Sequence, residues 1–213
     1  MDEEQTQIAP VMTVPNTSLI TSQPESLPYP AADPALLELL LQPRLSLFWG
    51  AHTPTRTLLA AATTLASRGQ PLRIFDGGNR FDGYFVARLA RRLSTDPQTT
   101  LTHIRLSRAF TCFQMAELIE NTPADLQPLF LLDLLATFYD ESVPLRDTER
   151  LLATTIAHLK RLASTGPVIV GAREPQSLVK DRWTLLDRLQ TAADATWLLR
   201  APEEFGPLQP SLF

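Results

Sequence analysis

Gly50-Ala-His-Thr-Pro-Thr-Arg-Thr57 follows an apolar run from Leu45 to Trp49, where a phosphate-binding loop could stand. Such a loop needs Gly-x4-Gly-Lys-Ser/Thr: backbone N–H groups wrap the phosphates, lysine reaches them and the hydroxyl binds Mg²⁺. Gly50 and Thr57 fit, while Thr55 replaces the second glycine and Arg56 the lysine. Arginine is always charged and can clamp phosphate, with a different reach. Pro54 removes one N–H that could face a phosphate. The same letters have a plainer explanation, with Thr53 capping a helix and Pro54 its first residue. A second run, Phe130-Leu-Leu-Asp133, ends in the kind of aspartate that positions Mg²⁺ and water. An aspartate there can equally cap a helix or pair with a cation. The nucleotide-binding candidates are therefore Gly50, Arg56, Thr57 and Asp133, and their ligands would be ATP and Mg²⁺.

The remaining reactive side chains form no constellation. His52, His103 and His158 have no metal-ligand spacing, so no metal site is expected. Cys112 is the only cysteine; it rules out an internal disulfide and a cysteine-based zinc cluster, and reads as a small packed apolar group.

These residues need a scaffold, and the chain supplies one. At 213 residues and 44% hydrophobic it can bury a real core, and its 20% charged content excludes wholesale disorder. Apolar runs suited to buried strands fall at 45–49, 72–75, 104–106, 129–132, 168–170 and 196–199. Helical patterns lie between them. Phe81, Phe85, Val86, Leu89 and Leu93 form one stripe, with Arg88, Arg91 and Arg92 largely opposite. Thr111 with Gln114 is a capping-box pair opening a helix through Ile119. Further helices are expected over 35–41, 147–163 and 177–190. The alternation predicts an α/β domain with a mainly parallel sheet and helices on both faces. The expected organisation is an arm over 1–32, a core over 33–200 and an exposed tail over 201–213, both ends flexible.

All 19 Lys and Arg lie between Arg44 and Arg200, against 15 acids, so the core carries about +4 between acidic ends. That balance permits nucleic acid without demanding it. The N-terminus opens on acids with no basic and apolar signal, and no apolar run could span a bilayer. A cytoplasmic setting without membrane contact is the expectation.

Taken together, the order of segments from 44 to 200 resembles the core of RecA-family recombinases, especially the archaeal RadA branch. The stretches that carry the likeness are Ile74-Phe-Asp76 followed by Phe81, Arg108-Ala-Phe-Thr-Cys-Phe-Gln-Met115, and Leu131-Leu-Asp133. The resemblance implies a three-layer P-loop fold. It also implies an acid, two positions after the second-strand aspartate, that activates water; Gly78 stands at that place. Losing a charge-compensating donor and a general base each costs about a hundredfold or more in rate. No catalytic residue is therefore assigned. The segments that would touch DNA, 138–147 and 173–181, offer Arg146, Arg173 and Lys180, which implies weak, salt-sensitive binding.

The tail adds a partner. Gln209-Pro-Ser-Leu-Phe213 resembles the Gln-Leu-Ser/Asp-Leu-Phe peptide by which bacterial polymerases and repair proteins dock on the sliding clamp. Gln209, Ser211, Leu212 and Phe213 match; Pro210 departs. The expectation is a non-catalytic accessory protein of bacterial DNA repair or recombination, similar in kind to the ImuA proteins. A repair polymerase or another RecA-like protein is the further partner this implies. The alternative is a divergent, slow DNA-dependent ATPase.

Overall fold

A computed structural model describes residues 34–52, 54–176 and 181–199. The elements run α1 (Pro34–Leu40), β1 (Leu45–Gly50), α2 (Thr55–Ser67), β2 (Leu72–Asp76), α3 (Gly83–Leu93), α4 (Pro97–Thr102) and β3 (Ile104–Arg108). After these come α5 (Cys112–Glu120), β4 (Leu129–Leu132), a single 3-10 turn (Leu134–Ala136), α6 (Leu145–Ala163), β5 (Val168–Arg173), α7 (Trp183–Ala192) and β6 (Ala195–Leu198).

The six strands form one sheet in the order β3-β2-β4-β5-β1-β6, every pair parallel. A parallel sheet needs crossovers, and these coat both faces. Strand residues alternate between two cores. Leu45, Leu47, Phe75, Leu131 and Val170 pack with α5, α6 and α7. Phe48, Ile74, Phe130, Leu132 and Ile169 pack with α1, α2 and α3. The result is three layers, compatible with a RecA-like fold.

Local chemistry explains the starts of several helices. Thr111 caps α5 by accepting from Gln114 N. The Gln114 side chain reaches back to Phe110 N, one residue earlier than a capping box requires. Asp82 caps α3 through Phe85 N at 2.9 Å, so Phe81 precedes the helix rather than opening its stripe. Helix α4, capped by Asp96 with Pro97 in its first turn, is too short for its periodicity to show in the sequence.

Other expectations shift. α6 starts at Leu145, because Pro144 cannot continue a helix backwards but stands well before one. The helix expected over 177–190 is α7, Trp183–Ala192, and 177–180 lie outside the described residues. The run at 104–106 is not buried: β3 is a sheet edge, with Arg105 and Leu106 exposed. β6, the other edge, exposes Thr196. The arm over 1–32, the cap residues Asp33 and Thr53, and the tail over 201–213 lie outside the described residues. No helix among the described residues is long and apolar enough to cross a membrane.

Candidate functional site at the carboxyl end of the sheet

Ligands of open parallel sheets sit beyond the strand carboxyl ends, where neighbouring strands send their chains to opposite faces. β1 and β5 are such a pair: β1 leads into α2 on one face and β5 towards α7 on the other. A cleft of about 400 Å³ opens there, lined by Ala51, His52, Thr55, Arg80, Arg173 and Glu174 among others. Thr55 lines it rather than Arg56, which is exposed on the first turn of α2.

Gly50 is held by protein. A Cβ at Gly50 would lie 2.2 Å from Leu199 O, and Gly50 O accepts from Glu174 N at 2.8 Å. The absence of a side chain serves the close approach of the chain leaving β6. Pro54 stands at the N-cap of α2 with no side-chain capping bond.

Beside this cleft lies the main charge cluster. Asp76, 1% exposed, ends β2, and its carboxylate accepts from Arg80 N at 2.8 Å and Phe81 N at 3.0 Å. Arg108, which ends the neighbouring β3, places Nε 3.6 Å from the same carboxylate. Asp133 follows β4, fully buried and in the left-handed region at φ 53°. Its Oδ2 lies 3.5 Å from Arg80 Nε and 3.4 Å from Arg173 Nε. Two guanidinium groups thus face the aspartate that the sequence reading assigned to Mg²⁺. A carboxylate so enclosed does not fit the role of an open Mg²⁺ ligand, since a hard cation needs oxygen donors and water around it. Charge balance here is met from within the chain.

Gly78 completes the cluster. A Cβ there would meet Asp133 Oδ2 at 2.7 Å, Asp133 Cβ at 2.8 Å and Arg80 Cγ at 3.0 Å. The space for a water-activating acid is therefore taken by Asp133 itself.

A second layer braces this arrangement. Tyr139 donates its hydroxyl to Arg173 O at 2.9 Å. Burial, reinforced by the Asp133 charge, drives the Tyr139 hydroxyl far above its ordinary pKa, so it stays a donor. Arg182, 4% exposed, donates to Phe138 O at 2.6 Å and Val143 O at 2.7 Å, pinning the loop between β4 and α6 to the start of α7.

The sequence candidates thus separate. Asp133 and Arg173, assigned to nucleotide and to DNA respectively, come together as an ion pair. Gly50 closes β1, Thr57 is half-buried in the first turn of α2, and Arg146 is exposed on the first turn of α6. Lys180, Gln209, Leu212 and Phe213 lie outside the described residues. Arg80, Arg108 and Arg182 were missed. The signal for the first two is their position, since Arg108 ends a strand and Arg80 follows one at the same end of the sheet as Asp76 and Asp133. Arg182 gave no signal, because its partners are backbone carbonyls about 40 residues away.

No protein-family model matches this chain, and no curated protein does. The site therefore has to be read from its own geometry. Two buried aspartates, three partly exposed arginines and Gly78, which has no room for a side chain, make one electrostatic unit beside the cleft. It can hold the loops after β2, β4 and β5 in register.

Proposed function

We propose that the chain is a non-catalytic, RecA-like accessory protein of bacterial DNA repair or recombination, tethered to the sliding clamp by Gln209–Phe213. The observation that carries the non-catalytic part is Asp133, buried between Arg80 and Arg173 and filling the space beside Gly78. A hydrolase needs that carboxylate open to a metal and an acid beside it; the two arginines on Asp133 and the lack of room at Gly78 argue against both. The three-layer parallel sheet supports the RecA-like part, since fold is compatible with that resemblance while function has to come from the site. The tether rests on the tail sequence alone. Leu212 and Phe213 would enter an apolar pocket, each contributing roughly 1.5–3 kcal/mol, and ordering the tail offsets part of this. Affinity is then on the order of micromolar.

The cleft between β1 and β5 favours a second reading, a divergent slow DNA-dependent ATPase, because Arg80 and Arg173 line it and could still meet an anion. Two measurements separate the readings. Phosphate release with ATP, Mg²⁺ and single-stranded DNA should stay at background; DNA-stimulated release that vanishes in Asp133→Ala supports the ATPase. Calorimetry against the organism's own clamp should show binding that is lost when the last five residues are deleted. Equal binding by the truncated chain, or none by either, removes the tether.

A further inference from the structure

Helix α3 carries a surface that the proposed function leaves unused. Its inner face, Phe85, Val86, Leu89 and Ala90, is buried against the core that it shares with α2. On the outer side Tyr84 is 75% exposed, and Arg88, Arg91 and Arg92 are all exposed. The spacing Tyr84, Arg88, Arg91 and Arg92 puts them on one side of the helix. Helix α3 contains no acid, and none of the three arginines forms an ion pair among the described residues. The two nearest acids in sequence are occupied as helix caps: Asp82 holds Phe85 N, and Asp96 holds Thr99 N and its hydroxyl.

Like charges three and four residues apart repel, and this helix carries them with no acid paired to them among the described residues. Arg91 and Arg92 gain from the last-turn dipole, but Arg88 is a full turn earlier and Tyr84 is apolar ring in water. By contrast the arginines at the strand ends, Arg80, Arg108 and Arg173, are all engaged with buried aspartates. Arg88, Arg91 and Arg92 thus form a cluster of exposed cations on one helix face, whereas Arg146, in a segment where the resemblance would put a DNA contact, is exposed singly on α6.

We infer that the outer face of α3, Tyr84 with Arg88, Arg91 and Arg92, is a binding surface for single-stranded nucleic acid. The stripe covers about 12 Å, a length over which one strand at B-form spacing carries three or four phosphates. The arginines meet the phosphates, and the exposed tyrosine offers a ring on which an unpaired base stacks. A membrane surface fits less well. An interfacial helix needs its apolar side free to insert, and here that side is in the core. The choice of nucleic acid as the polyanion rests on reading the chain as a DNA-associated protein. Clamp capture is a separate measurement, so either can fail alone.

The test is fluorescence anisotropy of a labelled dT20 probe with the full chain across a salt series. The triple variant Arg88→Gln/Arg91→Gln/Arg92→Gln should bind about tenfold or more weaker at low salt. Its log–log salt slope should be shallower by about 2, because each phosphate neutralised on a single strand adds about 0.7 to the slope. Tyr84→Ala should lose about fivefold or more, and Tyr84→Phe should restore binding. Arg68→Gln/Arg150→Gln/Lys160→Gln removes as much exposed charge elsewhere and should leave affinity and slope near those of the parent. Unchanged melting of each variant shows that the fold is kept. The inference is overturned if the α3 variant binds like the parent, if the distant triple loses as much, or if loss follows Arg146→Gln with Lys180→Gln instead. It is also overturned if the chain fails to bind dT20, or if polyglutamate or phosphatidylglycerol vesicles compete with dT20 as well as unlabelled dT20 does.

Discussion

The end of β1 and the loop after β2 each carry a glycine with no room for a side chain, for opposite reasons. At Gly50 the crowding atom is Leu199 O, a backbone oxygen of the chain leaving the edge strand β6. At Gly78 it is the Asp133 carboxylate, a buried charge held by two arginines. The first glycine closes packing between neighbouring strands; the second makes way for electrostatics. A glycine in the position of a phosphate loop is thus no evidence of phosphate until its neighbours are known.

The largest effect should come from putting the acid back. Gly78→Glu forces a side chain against Asp133 and adds a second negative charge to a buried site. Overpacking and an uncompensated charge together should cost about 3–5 kcal/mol, read as a drop in the urea midpoint. A variant as stable as the parent, with phosphate release on ATP and DNA, would break the comparison in favour of the ATPase.

Next is Gly50→Ala, where a methyl group meets a backbone oxygen that can retreat only by moving β6. The loss should be about 1–3 kcal/mol in the ligand-free protein, followed by thermal melting. Unchanged stability would show that Gly50 is kept for something other than packing.

A smaller effect tests the amino end of the same sheet, where Arg73 on β2 holds Asp125 through bonds of 2.9 and 2.6 Å. The Arg73 hydrogen bond keeps the Asp125 carboxyl below its ordinary range. A depressed pKa adds stability above the unfolded value, about 3.9, and that stability is lost as pH falls through the lower folded value. Because Asp125 is about one-third exposed, solvent screening limits the gain to about 1 kcal/mol or less. Asp125→Asn should therefore be slightly less stable than the parent at pH 6 and converge with it in strong acid. Parallel stability curves across that range would show that the pair contributes nothing through ionisation.

The smallest is Arg56→Ala. Its side chain is exposed on α2, so stability should change by no more than about 0.5 kcal/mol. Binding of a fluorescent ATP analogue, if any is seen, should be unaffected as well; a clear loss would restore Arg56 as a phosphate ligand.

Much of this architecture could be read directly from residue order, because its causes are local. Alternating apolar runs and helical stripes report which side of a segment faces a core, and Thr111, Asp82 and Asp96 act on N–H groups three residues away. Asp133 could be found because it ends an apolar run. Its meaning could not, since Arg80 and Arg173 reach it across 53 and 40 residues and only the order β2-β4-β5 makes those loops neighbours. Likewise the run at 104–106 is apolar enough for burial, yet its exposure follows from lying at the sheet edge. Sequence by itself determined the α/β alternation, the principal strands and helices and the two aspartates at the strand ends. Tertiary structure alone decided which charges cancel, which arginines stay free and which glycines lack room, because charge pairing and excluded volume depend on distance in space, and strand order sets those distances.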